Sequence, residues 1–560
     1  MTPSDGTTPP PSGSDDAGAA ADSTSMTQPD ARGPMGEASV DSSNPAPKPD
    51  SGSPMDADAS QPPAEAGVES GIGSDAAPPP SATACSAGDP MLAASGIVIR
   101  DGRGQGNTIA LRGTNLGSWL LVETWMSPVG GVSDDNSMRN TLSSRFGDTT
   151  KDALIGAYED AWTQTGDFDN MAALGMNVVR LPFWYLNVEN PDGTLRSDAF
   201  TKLDWAVSEA WKRCIYTVID LHGAPGGQSS SSDTGIGGSN QLWSDMSDQA
   251  HTAAVWKEVA QHYVGNSAVA GYDLLNEPSG SPDNQTRLDF QNTLYQAVRG
   301  VDPDHMIFIE AIWHWPDMPP PSMYGWTNVV YEFHSYDWDS NLTPLDDASQ
   351  KSTADSQVTD FQSHQTFNVP AFLGEFNVFQ YADAWEYTTR QWSNNGISWA
   401  MWSWRTNGVG GGVTDAWGVY NPTDPAPPTP DVSNDSSSTI TTDWSQWSLG
   451  AFTLNSTLVP ALAMPVVVGD TYNATAGMPL DVAAPGVLGN DKDMNPSLPA
   501  SGLTATKVAD PSHGTITLNA DGSFHYVPQA GFHGWDVFQY SASDGRVGSV
   551  RPALVVITVP

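Results

Sequence analysis

From Thr108 to Trp404 the chain passes through eight short strings rich in β-branched and aromatic residues. Between them lie stretches whose apolar residues recur every three or four positions, such as AFTKLDWAVSEAWKR (199–213) and QTRLDFQNTLYQAVRGV (285–301). The strings are Thr108–Asn115, Asn177–Phe183, Cys214–His222, Val269–Glu277, Met306–Glu310, Asn328–Tyr336, Pro370–Phe376 and Ile397–Trp404. Short strand-like runs alternating with helix-period segments predict βα units around a parallel sheet, and eight of them predict a closed α/β architecture, a (β/α)8 barrel. An open doubly wound sheet is the structural alternative.

The flanks read differently. Residues 1–84 hold no Leu, Phe, Tyr or Trp and are mostly Ser, Pro, Ala, Gly and Asp. Such a segment cannot bury enough apolar surface to offset its chain entropy, so a disordered acidic tether is expected. After Pro465, VVVGDTYNA, GTITLNADGSFHYVP and WDVFQYSASDG alternate with period two and are broken by Asn, Asp, Gly and Pro. They predict an all-β, Ig-like sandwich over 465–560, following a catalytic barrel over 95–462. Asp491 and Asp493 read as loop acids facing water, with calcium ligation as the functional alternative.

The 560 residues include 23 Lys+Arg against 65 Asp+Glu, a formal charge of −42. An excess of that size repels nucleic-acid phosphates and anionic lipid, so no nucleic acid is expected as partner, and a neutral one is. No run of eighteen apolar residues exists, hence no membrane span. Two cysteines permit at most one bridge, Cys85 to Cys214, and no zinc-type spacing appears, so no metal site is expected. Residues 1–30 lack the charged start and apolar core of a signal peptide.

In a barrel of this kind the reactive groups sit at the carboxyl ends of the strands. Polar residues ending otherwise apolar strings are Arg180, Asp220-Leu221-His222, Asn276-Glu277-Pro278, Glu310, His334-Ser335-Tyr336, Gly374-Glu375-Phe376 and Trp402-Ser403-Trp404. Glu277 and Glu375 close the fourth and seventh strings, and barrel closure brings them together at the mouth. Paired carboxyls between aromatic walls suit glycosidic bond cleavage, in which one protonates the leaving oxygen and the other supports or attacks the oxocarbenium-like carbon. Glu310 and Glu332 are competing acids, for which a barrel-interior ion pair is the expected role. The Gly-rich stretches 226–238 and 408–413 lack the lysine of a phosphate-binding loop and read as active-site loops.

RGTNLGSWLLVETWMSP (112–128), LGMNVVRLPFWY (174–185), DLHGAPGGQSSSSDTG (220–235) and DLLNEP (273–278) resemble the exo-β-1,3-glucanase branch of glycoside hydrolase family 5. NVVYEFHSYD and VPAFLGEF are equally similar to endo-acting cellulases and mannanases of that family. The resemblance, from about Ile97 to Leu462, implies Glu277 as general acid/base, Glu375 as nucleophile and net retention. It also implies that Glu123 grips a terminal glucose, making the cleft a pocket. Physical roles go with these positions. Arg180 is expected to keep Glu375 ionised and Tyr336 to orient it, while Asn276 binds the sugar 2-hydroxyl. His222 and His334 line the same subsite. Trp402 is the expected sugar platform, with Trp404 in reserve, and Trp184, Trp243, Trp313 and Trp315 are candidate outer walls.

The expectation is a monomeric, secreted or cell-surface hydrolase of neutral β-glucan that needs no cofactor. Endo-β-1,4-glucanase or mannanase action, transglycosylation, and a non-catalytic carbohydrate-binding role are the alternatives. APGVLGNDKD (484–493) and HGTITLNADGSFHYVPQAGFHGWDVFQYSASDG (513–545) resemble the bacterial cadherin-like or Ig-like repeat, for which a spacer role is expected.

Overall fold

The computed structural model describes residues 81–82, 85–86, 88–313, 315–339, 343–408, 417–494 and 502–560. The expected tether, apart from Ser81 and Ala82, and most of the Gly-rich stretch 408–413 lie outside the described residues.

Eight parallel strands close into a barrel: Arg112–Asn115 (β1), Val178–Trp184 (β2), Tyr216–Gly223 (β3), Val269–Asp273 (β4), Met306–Glu310 (β5), Val329–Tyr336 (β6), Ala371–Asn377 (β7) and Ser398–Met401 (β8). Neighbours follow chain order and β8 pairs with β1, so the expected (β/α)8 class holds. Each string supplies one strand, trimmed where the backbone leaves the ladder and, in β2, β3 and β7, extended to Trp184, Gly223 and Asn377. The fourth stops at Asp273, because the Asn276 N–H turns back to Leu221 O at 3.1 Å. Between strands, helix Asn284–Arg299 is typical. Asp283 caps it by accepting the Thr286 N–H at 2.7 Å, and it buries Leu288, Gln291, Leu294 and Val298 at spacings of three and four.

The inward-facing residues change character with height. Val178, Tyr216, Val218, Met306, Phe308, Val330 and Phe372 form an apolar floor, joined from below by Leu92, Ile99 and Ile109. One step further along the same strands stand Arg180, Asp220, Glu310 and Glu332, each at most 1% exposed. Period-two alternation thus places a charged layer directly on an apolar one. Where β6 pairs with β7 the register shifts between Phe333 and His334, a bulge that sets His334 opposite Glu375. A disulfide joins Cys85 to Cys214 just before β3.

The C-terminal strands form two sheets. Asp470–Asn473 (β9), Leu480–Val482 (β10), Thr504–Ala509 (β11), Gly514–Leu518 (β12), Phe524–Pro528 (β13), Gly534–Ser543 (β14) and Ala553–Val559 (β15) are ordered β9-β15-β14-β11 and β10-β13-β12. Val487, Phe524, Tyr526, Phe538, Tyr540, Val555 and Ile557 fill the space between them. Asp491 departs from the expectation of a water-facing acid. It accepts the Tyr540 hydroxyl at 3.0 Å and the Val468 N–H at 2.8 Å, and so fastens a loop.

The loop between β14 and β15 packs on the barrel. Val550 belongs to the barrel's own buried cluster, Arg112 of β1 donates to Gly548 O at 3.0 Å, and Arg546 donates to Pro460 O at 3.1 Å. The sandwich is therefore seated on the barrel through apolar and polar contacts. Val550→Asp would bury an unpaired carboxylate there. It should lower barrel stability by more than about 2 kcal/mol. Urea unfolding followed by tryptophan fluorescence measures this, since Trp535 is the sandwich's sole tryptophan among 21 in the chain. An unchanged midpoint would show that the contact contributes nothing.

Candidate active site

Arg180 is the centre of the mouth. It is fully buried, and its fork donates to Glu375 Oε1 (2.8 Å), Asp273 Oδ2 (2.6 and 2.9 Å), Asn276 Oδ1 (2.8 Å) and Asn115 Oδ1 (3.2 Å). Asp220 and Glu332 stand 3.1 and 3.2 Å away. With Glu310 nearby, five acids surround one permanent cation, which neutralises only one of them. The remaining burden shows in the titration. Burial pushes Asp220 up to about 7 and Asp273 to about 6, against the opposing pull of Arg180. Burial carries Glu310 and Glu332 well above the usual carboxylate range, with neighbouring acids adding to it. Gly374 is required beside this layer, because a Cβ there would lie 1.5 Å from Glu332 Oε1.

Glu277 and Glu375 meet at His334. Its Nδ1 is 2.8 Å from Glu277 Oε1 and 3.6 Å from Glu375 Oε2, and one donor atom from each of the three residues falls within 4.8 Å of the others. They are the one trio of possible metal ligands among the described residues. Tyr336 donates its hydroxyl to Glu375 Oε2 at 2.9 Å. Burial, reinforced by the charge of Asp233, pushes Glu277 up to about 8. Burial also raises Glu375, but His334 and Arg180 oppose it, so Arg180 offsets part of the cost of ionisation without reversing the shift. His334 and His222 are pushed down to about 4 by burial and are neutral near pH 7. His222 Nδ1 bonds Asp220 Oδ2 at 2.7 Å, which fixes the ring.

The structure brings together Glu123, Arg180, His222, Asn276, Glu277, His334, Tyr336, Glu375 and Trp402. The Trp402 ring stacks parallel to His222 at 5.3 Å, and Glu123 lies 3.8 Å from His222 Nε2. Trp404 does not join them. It donates Nε1 to Asp167 at 2.8 Å and lies 2% exposed outside the barrel, because the chain leaves the ladder after Met401 and alternation no longer applies. Trp184 is fully buried beneath the Arg139 guanidinium, and Trp315 packs among Tyr331, Phe333 and Phe361, so neither is an outer wall. Trp243 is half-buried and donates to Gln228 O, whereas Trp313 is 41% exposed beside His334 and Tyr336.

Several contributors went unnoticed in the sequence. Asp233, the one acid in the loop string 224–235, raises both Glu123 and Glu277 and has a buried oxygen without a protein partner. Trp125 donates to Glu123 Oε2 at 2.8 Å and meets Trp417 edge-on at 5.0 Å. Glu310, expected as an interior ion-pair partner, instead accepts the backbone N–H of Glu277 at 2.6 Å.

A (β/α)8 barrel with two facing carboxyl groups beyond strand four and on strand seven, walled by indoles, is an arrangement suited to glycosidic bond cleavage. Residues 140–408 match the cellulase model, glycosyl hydrolase family 5, and residues 463–560 match the bacterial cadherin-like domain. The chain thus carries a family 5 glycosyl hydrolase domain followed by a bacterial cadherin-like domain. It is 33% identical over 256 residues to a beta-xylosidase of Phanerodontia chrysosporium, covering 44% of this chain and 52% of the relative. Over 248 residues it is 30% identical to a probable glucan 1,3-beta-glucosidase A of Aspergillus clavatus, covering 42% and 58%. The match thus spans between half and three fifths of these relatives. A crystal structure of endogalactoceramidase aligns over 81% of this chain and 99% of its own, with TM-score 0.50 at 19% identity, a likeness of fold alone.

Each raised carboxyl binds its proton more tightly folded than unfolded. Their contribution to stability is therefore full below the ordinary carboxylate range and is lost as pH rises through the folded values, about 6 for Asp273, 7 for Asp220 and 8 for Glu277. Urea midpoints should fall steadily between about pH 5 and pH 8; a rise would contradict the protonated layer. Arg180→Met should cost about 3–5 kcal/mol at neutral pH, by leaving buried carboxyls uncompensated, and less at about pH 5.

Proposed function

We propose that this chain is a retaining, exo-acting β-glucan hydrolase that removes glucose from the non-reducing end of β-1,3-glucan. The observation that carries the reading is the approach of Glu277 and Glu375 carboxyl oxygens to within 4.8 Å. That closeness supports a retaining pair, whose groups stand roughly 5–5.5 Å apart, over an inverting pair at roughly 6.5–9.5 Å.

In the first step the Glu375 carboxylate attacks the anomeric carbon while Glu277 protonates the glycosidic oxygen. The carbon–oxygen bond breaks and a glycosyl ester forms on Glu375. In the second, Glu277, now a carboxylate, takes a proton from water, whose oxygen attacks the same carbon and displaces Glu375. Arg180 and Tyr336 each occupy one oxygen of Glu375 and so hold its attacking orientation. Asn276 Oδ1 accepts from Arg180, and Nδ2, which shares one hydrogen with His222 Nε2 at 3.4 Å, has a second hydrogen to donate to the sugar 2-hydroxyl.

Exo action rests on the far end of the cavity. Glu123 Oε1 and Asp233 Oδ1 are buried oxygens without a protein partner, and sugar hydroxyls are the donors they lack. Trp125 and Trp417 supply the apolar wall on that side and Trp313 the wall nearest His334. The glucan 1,3-beta-glucosidase relatives support this substrate. The Cys85–Cys214 bridge supports work in an oxidising, extracellular setting.

Product analysis on laminarin, carboxymethylcellulose and glucomannan tests the reading, with p-nitrophenyl β-glucoside and β-xyloside beside them. Glucose alone from laminarin, with retained configuration, is expected. A ladder of oligomers from cellulose or mannan would establish endo action instead, and preference for the xyloside would displace glucose. Glu375→Gln should abolish turnover, and Glu277→Gln should slow poor leaving groups about 10²–10⁴-fold. Activity needs Glu277 protonated and Glu375 ionised, so kcat/KM should fall above about pH 8 and again on the acid side. A profile still rising at about pH 9 would exclude Glu277 as the acid.

A further inference from the structure

Glu277 offers its carboxyl from a stretch of backbone that no strand or helix supports. Its φ is +37°, in the left-handed region that residues with a Cβ adopt only under strain, and Pro278 behind it narrows the choice further. The turn must therefore be imposed by its surroundings. Three ties are ordinary ones. The Asn276 N–H donates to Leu221 O at 3.1 Å, Gln228 Nε2 donates to Asn276 O at 2.9 Å, and the Ser279 N–H donates to Glu277 O at 2.6 Å.

The fourth is not. The N–H of Glu277 itself points into the barrel and donates to Glu310 Oε2 at 2.6 Å. Glu310 is 1% exposed and ends β5. Its own backbone is held from behind by helix Asn284–Arg299. Its N–H donates to Gln291 Oε1 at 3.0 Å, and its carbonyl accepts Gln291 Nε2 at 3.0 Å and Arg287 Nη1 at 3.1 Å. The other Glu310 oxygen lies 3.9 Å from His334 Nδ1, the nitrogen that bonds the Glu277 carboxyl. Glu310 thus bonds the amide of the candidate acid/base and lies near the imidazole that receives its carboxyl. Glu332, the equivalent acid on β6, stands 3.8 Å from His334 Nε2 and 3.2 Å from Arg180 Nε, so the bond to the Glu277 N–H is what sets Glu310 apart.

We propose that Glu310 is a positioning residue for the acid/base. Its carboxyl clamps the Glu277 N–H, holds the left-handed turn, and thereby aims the Glu277 carboxyl across the cavity towards Glu375. This rests on the glycosidase reading above. The clamp works through an acceptor oxygen and does not need a charge. Burial beside Asp273 and Glu277 favours the neutral acid, opposed by Arg180 and by the Glu277 N–H bond itself, so an amide at 310 should serve as well.

The prediction separates proton donation from the rest of the reaction. 2,4-Dinitrophenyl β-glucoside has a leaving group that needs no proton, and phenyl β-glucoside has one that does. Glu310→Leu removes the acceptor and should lower kcat/KM for the phenyl glucoside at least about 30-fold, and for the dinitrophenyl glucoside less than about threefold. Glu310→Gln should restore both to near wild type, with the alkaline limb of the pH profile in place. Equal loss on both substrates would show a general structural role and overturn the clamp, as would full activity of Glu310→Leu. A Gln variant as impaired as Leu would show that the charge matters, and would overturn it too. If Glu310→Leu does not fold, Glu310→Met carries the same comparison. A wild type inert on both glucosides would instead refute the glucosidase reading on which the clamp rests.

Discussion

One guanidinium among five acids sets the terms for the mouth of this barrel. Arg180 reaches β1 through Asn115, β3 through Asp220, β4 through Asp273, the turn after β4 through Asn276, β6 through Glu332 and β7 through Glu375. A lysine has the charge but not the fork, and could not span those directions at once. Because a single cation cannot compensate the whole set, protons must supply the rest, and burial ensures that they do. The candidate catalytic pair inherits this condition. Glu277 holds its proton near neutral pH, while Glu375 has the cation and a tyrosine hydroxyl in contact to help it lose one.

Much of this was legible in the sequence because an apolar string that ends in a polar residue has a single sensible meaning in a parallel barrel. NEP closing one string and LGEF closing another could be paired across 98 positions by topology alone. The tryptophans were another matter. An indole that packs a helix and an indole that floors a sugar site leave the same letter in the chain. The period-two rule that nominated Trp404 beside Trp402 fails once the backbone quits the ladder at Met401. Trp184 and Trp315 were lost to packing for the same lack of a distinguishing signal. Asp233 escaped because a loop acid has no periodicity to give it away. Glu310 was seen but assigned to ion pairing, since a carboxylate serving as acceptor for a distant backbone N–H leaves no spacing rule to read.

The barrel keeps stability and chemistry in separate layers. Its floor of Val218, Phe308, Val330 and Phe372 supplies apolar burial, on which the charged layer can be carried. The sandwich adds to the same division. It seats Val550 and takes a hydrogen bond from Arg112 at the amino end of β1, the face opposite the mouth. A net charge of −42 is compatible with the neutral glycan proposed as substrate, which such a charge neither attracts nor repels.

Both candidate catalytic carboxyls stand where regular backbone breaks. Strict alternation along β7 would face Gly374 inward, as its closeness to Glu332 shows, and turn Glu375 out; the bulge adds one residue and brings Glu375 in as well. That irregularity is fastened by Asn115, whose Nδ2 donates to Gly374 O at 2.8 Å. The left-handed turn at Glu277 is fastened in like manner by Glu310. Neither Asn115 nor Glu310 is a reacting group, yet each occupies a strand end at the same height as the reaction and satisfies the backbone group that the irregularity exposes. A barrel has eight strand ends and the proposed chemistry draws its two acids from two of them. The precision of those two depends on side chains lent by the first and the fifth.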